Sequence, residues 1–122
     1  MAQVPLNFFL RTASTLGTTY SQVYSAPFDT AAIMLTVLAA NKTSNPQTIT
    51  VGISGIGGPN VSTLPYYDIV KNLVIPPNDT TNVAIGKIVL NQYDAMYALC
   101  NNSSAVDLTL SVLETLNLPG VE

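Results

Sequence analysis

The residue types that carry most enzyme chemistry are scarce in this chain. There is no histidine among the 122 residues, so the commonest general base and metal ligand is missing. A single cysteine, Cys100, excludes thiolate zinc sites and internal disulfides. It ends an apolar run and reads as a buried, inert thiol, which fits folding in a cytosolic compartment. The acids are Asp29, Asp68, Asp79, Asp94, Asp107, Glu114 and Glu122. Most fall at expected turns. Asp79 and Asp94 read as residues that bond their own backbone rather than as calcium ligands. Paired carboxylates could hydrolyse a glycosidic bond, but nothing brackets any pair with a substrate groove. The glycines around Gly55 and Gly57 lack the G-x-G-x-x-G order and precede no helix, so they form no phosphate cradle. Asn41, Asn60, Asn78, Asn101 and Asn102 each head an N-x-[ST] triplet. With no signal peptide expected, these are by-products of Asn, Ser and Thr crowding into turns. No catalytic residue, cofactor site or metal site is expected.

Six tyrosines could stack on sugars or bases. Tyr20, Tyr24, Tyr66, Tyr67 and Tyr97 lie in or beside expected strands, where core and interface packing is the simpler role. They keep a carbohydrate-binding β-sandwich module open as an alternative of another class.

The elements that position these residues are strands. From Asp68 to Leu116, four apolar runs are separated by three polar breaks with turn chemistry: Pro76–Asp79, Asn91–Asp94 and Asn101–Ser104. In the last run Val106, Leu108, Leu110 and Val112 alternate with Asp107, Thr109, Ser111 and Leu113, the period of a strand with one buried face. Upstream, Thr18–Ser25 is rich in strand formers. Thr30–Ala40 is apolar on both sides, with Ile33, Leu35 and Val37 on one face and Met34 and Leu38 on the other. Its β-branched content and turn-like flanks favour a central strand over a helix. Its second face then needs a cover. Asn41–Pro46 is a hairpin connection, and Thr48–Ser54 a half-exposed strand. Gly55–Asn60 is a flexible loop. Gly86 interrupts the run from Val83 to Leu90 as a bulge or bend. The expected fold is all-β, an antiparallel β-sandwich (jelly-roll or Ig-like) of seven to eight strands. Residues 17–117 form the sandwich, 118–122 a loose tail, and 1–16 either an N-terminal arm or a first strand.

Charged residues make up 9% of the chain, against about 25% in an average domain. The surface is therefore clothed in Ser, Thr, Asn and Gln, with little repulsion between copies and little charge to desolvate when surfaces meet. That points to a subunit of an assembly. The net charge is −3 and the four cations Arg11, Lys42, Lys71 and Lys87 are scattered, which argues against nucleic-acid binding. No run approaches the ~20 apolar residues of a membrane span, and no signal peptide is expected.

Four stretches carry a resemblance: V-Y-S-A-P-F-D-T-A-A-I-M-L-T-V at 23–37, D-I-V-K-N-L-V-I-P-P-N-D at 68–79, G-K-I-V-L-N-Q-Y-D at 86–94, and A-V-D-L-T-L-S-V-L-E at 105–114. Over residues 18–116 the chain resembles small β-sandwich virion structural proteins of tailed bacteriophages, common in phages of marine bacteria and cyanobacteria. It departs from them in its longer, aromatic N-terminus and in the turn at Asn91–Asp94. The resemblance implies a non-enzymatic subunit synthesised in the host cytoplasm and incorporated in the virion. Its partners would be other copies of itself and the major capsid protein or other virion proteins. A capsid decoration (cement) role is expected first, with a neck, tail or fibre-attachment role as the alternative. Expected interface residues are Phe8, Phe9, Leu10, Tyr20, Tyr24 and Met34. Phe8, Phe9 and Leu10 are consecutive, so on a lone strand at least one must face away from the core.

Overall fold

Alternating apolar and polar residues pair here into nine strands. The computed structural model describes residues 6–54, 67–83 and 86–116. Among them the strands are β1 (Leu6–Thr15), β2 (Ser21–Ser25), β3 (Thr30–Asn41), β4 (Gln47–Ser54), β5 (Tyr67–Ile75), β6 (Thr80–Asn82), β7 (Ile88–Leu90), β8 (Ala95–Cys100) and β9 (Val106–Leu116). The expected loop at Gly55–Asn60 and tail at 118–122 lie outside the described residues.

All pairings are antiparallel. One sheet runs β1-β9-β3-β6, with β7 also on β3; the other runs β2-β8-β4-β5. Most connections cross between the sheets, and β4–β5 and β6–β7 stay within one. That order is a jelly roll, an architecture in which two sheets share one core. The count exceeds the expected seven to eight because one strand position is split. β6 and β7 occupy the same side of β3, opposite Leu38–Ala40 and Ala32–Met34. Gly86 lies in a bend between them, so the run from Val83 to Leu90 is not a single strand. β6 itself reads Thr-Thr-Asn, too polar and short for its sequence to announce it.

The core lies between the sheets. β9 contributes Val106, Leu108, Leu110 and Val112, all at most 1% exposed, while Asp107, Thr109 and Ser111 face outward. β3 adds Ala32, Met34, Val37 and Ala39 from opposite β9, and Ile49, Val51, Met96, Ala98 and Cys100 come from the other sheet. Val37 therefore shares a face with Met34 and not with Ile33 and Leu35, as strict alternation predicts. The reason is a bulge: Met34 opposes Val112 and Thr36 opposes Ser111, leaving Leu35 as an extra residue. One inserted residue reverses the alternation beyond it.

Residues 6–15 are β1, paired to β9 in unbroken register from Leu6 opposite Leu116 to Thr15 opposite Asp107. Leu16 follows, 2% exposed, its N–H bonded to the carbonyl of Val106 at 3.0 Å.

One end of the sandwich is tied by buried amides. Asn41 is 3% exposed, and its Nδ2 donates to the carbonyls of Asn45 (2.8 Å), Ile75 (3.0 Å) and Pro76 (3.2 Å). Its Oδ1 accepts from the N–H and hydroxyl of Thr43. Gln47 donates to Thr43 Oγ1 and accepts from Asn102, which extends the network to the β8–β9 turn. Such a network is stabilising when every member is paired. It also seals the Asn41 triplet from modification. Asp79 and Asp94 are turn formers as expected: Asp79 Oδ1 accepts from Thr80 N–H, and Asp94 Oδ2 from Asn91 N–H. Cys100 is buried.

Gly52 allows β5 to approach β4. A Cβ there would sit 2.9 Å from the carbonyl oxygen of Tyr67, a contact that side chains essentially never make.

At the opposite end, a side-chain hydrogen bond spans the two sheets. Tyr24 on β2 donates its hydroxyl to Glu114 Oε2 on β9. Burial first, then the hydrogen bond and charge of Glu114, push the Tyr24 phenol well above its ordinary range.

Three outcomes follow from this architecture. Leu108→Ala lowers stability by about 2–5 kcal/mol and Thr109→Ala by much less, measured by denaturant unfolding; equal losses would reverse the assignment of faces. Deleting residues 1–16 strips β9 of one of its two neighbours and uncovers the core beneath Leu16, so the truncated chain loses its cooperative thermal transition. The third concerns alkali. A raised phenol pKa contributes stability that is fully present below the ordinary tyrosine value of about 10 and is lost as pH rises through the folded value. Tyr24→Phe should therefore flatten the fall in melting temperature above that pH relative to the parent chain.

Candidate functional site

Each strand of the β1-β9-β3-β7 sheet turns one side to the core and the other outward. On the outer side, the registers set Phe9 opposite Leu113, Leu113 opposite Ile33, and Ile33 opposite Val89. Four apolar side chains from four strands thus stand in one row across the sheet. Its two ends are open, Phe9 at 77% and Val89 at 58% exposure; Ile33 and Leu113 between them are half-buried. Leu35, the extra residue of the β3 bulge, lines a shallow hollow of about 490 Å³ beside the row, with Phe9, Leu10, Arg11, Ser111 and Val112. Leu38, also exposed, lies two rows away opposite Thr109. Single exposed apolar residues are ordinary; here four apolar residues from four strands line up across one sheet.

Charge lies towards the far end of the same face. Lys42 Nζ and Asp107 Oδ1 are 3.2 Å apart, and the Thr15 hydroxyl donates to the same oxygen at 2.7 Å. The Thr15 hydrogen bond, with Lys42 assisting, holds the Asp107 carboxyl below its ordinary range. The polar atoms here satisfy one another, so this end is dressed for water.

The six residues expected at an interface separate. Phe9 is in the row, and Leu10 lines the hollow while packing against the core opposite Val112. Phe8 projects to the other side of β1, opposite Glu114, and is 50% exposed at the end of the sandwich. Tyr20 lies in the β1–β2 connection and donates its hydroxyl to Asp68 Oδ1 at 2.6 Å. Tyr24 ties the sheets through Glu114. Met34, expected at an interface, has no exposed surface and is a core residue, because it occupies an inward position of β3 before the bulge.

Sequence reasoning missed Leu113, Ile33 and Val89 as one group. The signal was there in part. Leu113 falls at a polar position of the β9 alternation, and the second face of β3 called for a cover. The link to Val89 depends on register, which the sequence does not print.

Three tyrosine hydroxyls are engaged internally. Tyr97 donates its hydroxyl to Gln22 Oε1 at 3.2 Å, beside the Tyr20–Asp68 and Tyr24–Glu114 bonds. At the end of the sandwich carrying the β2–β3 and β7–β8 turns, Phe28 and Tyr93 stand exposed with ring centroids 6.3 Å apart.

The fold has counterparts among solved structures. The chain aligns over its whole length with 99% of a chain in the acid-stable capsid structure of Helicobacter pylori bacteriophage KHP30, at a TM-score of 0.52 and 15% identity. It aligns over 94% of its length with 89% of a chain from the Bacillus endospore appendages, disulfide-linked pili, at a TM-score of 0.52 and 15% identity. In the T13 particle of infectious bursal disease virus, IBDV, 95% of this chain matches 32% of a longer chain, at a TM-score of 0.54 and 10% identity. No family model matches the chain, and no curated protein matches it in sequence. At these identities the likeness is one of fold: a β-sandwich found in viral capsid structures and in a pilus.

Proposed function

We propose that this chain is a non-enzymatic structural subunit of a virus particle, and that it acts as a capsid decoration (cement) protein seated on the major coat protein. The observation that carries the reading is the Phe9–Leu113–Ile33–Val89 row on the outer face of one sheet, in a chain with only 9% charged residues. Such a face gains roughly 1.5–3 kcal/mol for each large apolar side chain that a partner covers, with little charge to desolvate. The whole-length likeness to a chain in a phage capsid structure supports the same role. A subunit of this kind is made in the host cytoplasm and resides in the virion. A neck, tail or fibre-attachment protein would use the same surface, and its position in a particle separates the two. The sugar-binding alternative is less well supported, because Tyr20, Tyr24 and Tyr97 give their hydroxyl protons to Asp68, Glu114 and Gln22.

The test is binding to purified particles stripped of this protein. The parent chain should rebind at regular positions over the shell in a particle reconstruction. Val89→Lys should keep its melting temperature and lose at least tenfold in affinity. Density confined to the neck or tail would transfer the role to the alternative, and no binding at all would end the virion reading.

A further inference from the structure

A two-sheet sandwich has four edges, and unpaired edge strands are templates for pairing with another chain unless something blunts them. In this chain three of the four are blunted. β2 is five residues long and bulged between Gln22 and Tyr24. β5 carries Asp68 and Lys71, register shifts against β4, and Asn72 in the left-handed region at φ 54°. β6 and β7 are three residues each. β1 has none of these devices. It is ten residues long, has no proline and no bulge, and carries one charge, Arg11. Among the described residues it pairs with β9 on one side only.

We propose that β1 is a self-association edge, pairing antiparallel with β1 of a second copy about a two-fold axis at Phe9. The composition of the strand selects that register. With Phe9 opposite Phe9 of the second copy, Phe8 meets Leu10 and Asn7 meets Arg11. Aromatic and aliphatic cross-strand pairs are favourable, and like charges directly opposite are not. Centring the axis on Arg11 would set the two guanidinium groups against each other. The Phe9 register also lies on the outer row described above. Pairing there joins Val89–Ile33–Leu113–Phe9 of one copy to the same four residues of the other, in one apolar band across both sheets. A two-fold contact is self-complementary and closes at a dimer, so the edge is consumed rather than left to polymerise. The inference goes beyond the virion reading, since the dimer forms from this chain alone.

The experiment compares two positions on one face by mass in solution and by cross-linking. Phe9→Lys sets two ammonium groups opposite each other at the axis, whereas Val89→Lys is at the far end of the row. We expect a dimer for the parent chain and for Val89→Lys, and a monomer for Phe9→Lys with its circular dichroism unchanged. Directly opposed residues of an antiparallel pair lie within disulfide reach. Phe9→Cys should therefore cross-link on mild oxidation and Val89→Cys should not; the native Cys100 is buried and stays silent. A monomeric parent chain, equal loss of dimer at both lysine variants, or equal cross-linking at both cysteines would overturn edge pairing. The virion role is judged separately. A chain that is monomeric yet decorates particles sinks the pairing alone, and a dimer that ignores particles sinks the role alone.

Discussion

The ladder between β3 and β9 is the constraint on which the molecule depends. It runs from Thr30 opposite Leu116 to Asn41 opposite Val106, and both strands have further neighbours on their other sides. β9 must therefore be apolar inward and tolerant outward along its full length, which the Val106–Val112 alternation supplies. β3 meets a harder demand. It starts at the Phe28–Asp29 turn and ends at the Asn41 network, and its composition is apolar on both sides. The bulge at Leu35 resolves the conflict by bringing Met34 and Val37 to the core together. Ile33 and Leu38 are left on the outer face, and Leu35 lines the hollow there. The outward apolar surface is thus the second face of a strand whose first face fills the core.

That coupling explains which parts of the protein were legible in its sequence. The β9 faces follow from a strict period of two, and the turns at Pro76–Asp79, Asn91–Asp94 and Asn101–Ser104 from residues that bond their own backbone. The buried Cys100 and the turn-forming Asp79 and Asp94 follow from the same local chemistry. What failed was non-local. A bulge has no signature in a run as uniformly apolar as Ala31–Ala39. The split of one strand position into β6 and β7 depends on what β3 offers as a partner. Met34 falls on the outer face only when the alternation is carried through the bulge. The row from Phe9 to Val89 joins residues far apart in the chain, and only register assembles it.

Polar chemistry is concentrated where the chain turns. Asn41, Thr43, Gln47 and Asn102 lock the loops at one end, and the Tyr24–Glu114 bond ties the sheets at the other. These groups are spent on one another. The row from Phe9 to Val89 is the aligned apolar part of a surface otherwise clothed in Ser, Thr, Asn and Gln.

Edge protection is unevenly distributed over the sandwich. Short strands, bulges and charges are the ordinary means of keeping a β-protein soluble as separate molecules. Three edges here have them, so the sequence is under the usual pressure against indiscriminate pairing. The exception, β1, is also the strand that carries Phe8, Phe9 and Leu10 and leads the outer apolar row. An unprotected edge and an exposed aromatic on the same strand are each a liability for a monomer. Together, on one side of a sandwich whose other edges are blunted, they give the proposed pairing a direction, at β1 and across the face beside it. A subunit that must meet its neighbours in one fixed geometry needs that asymmetry.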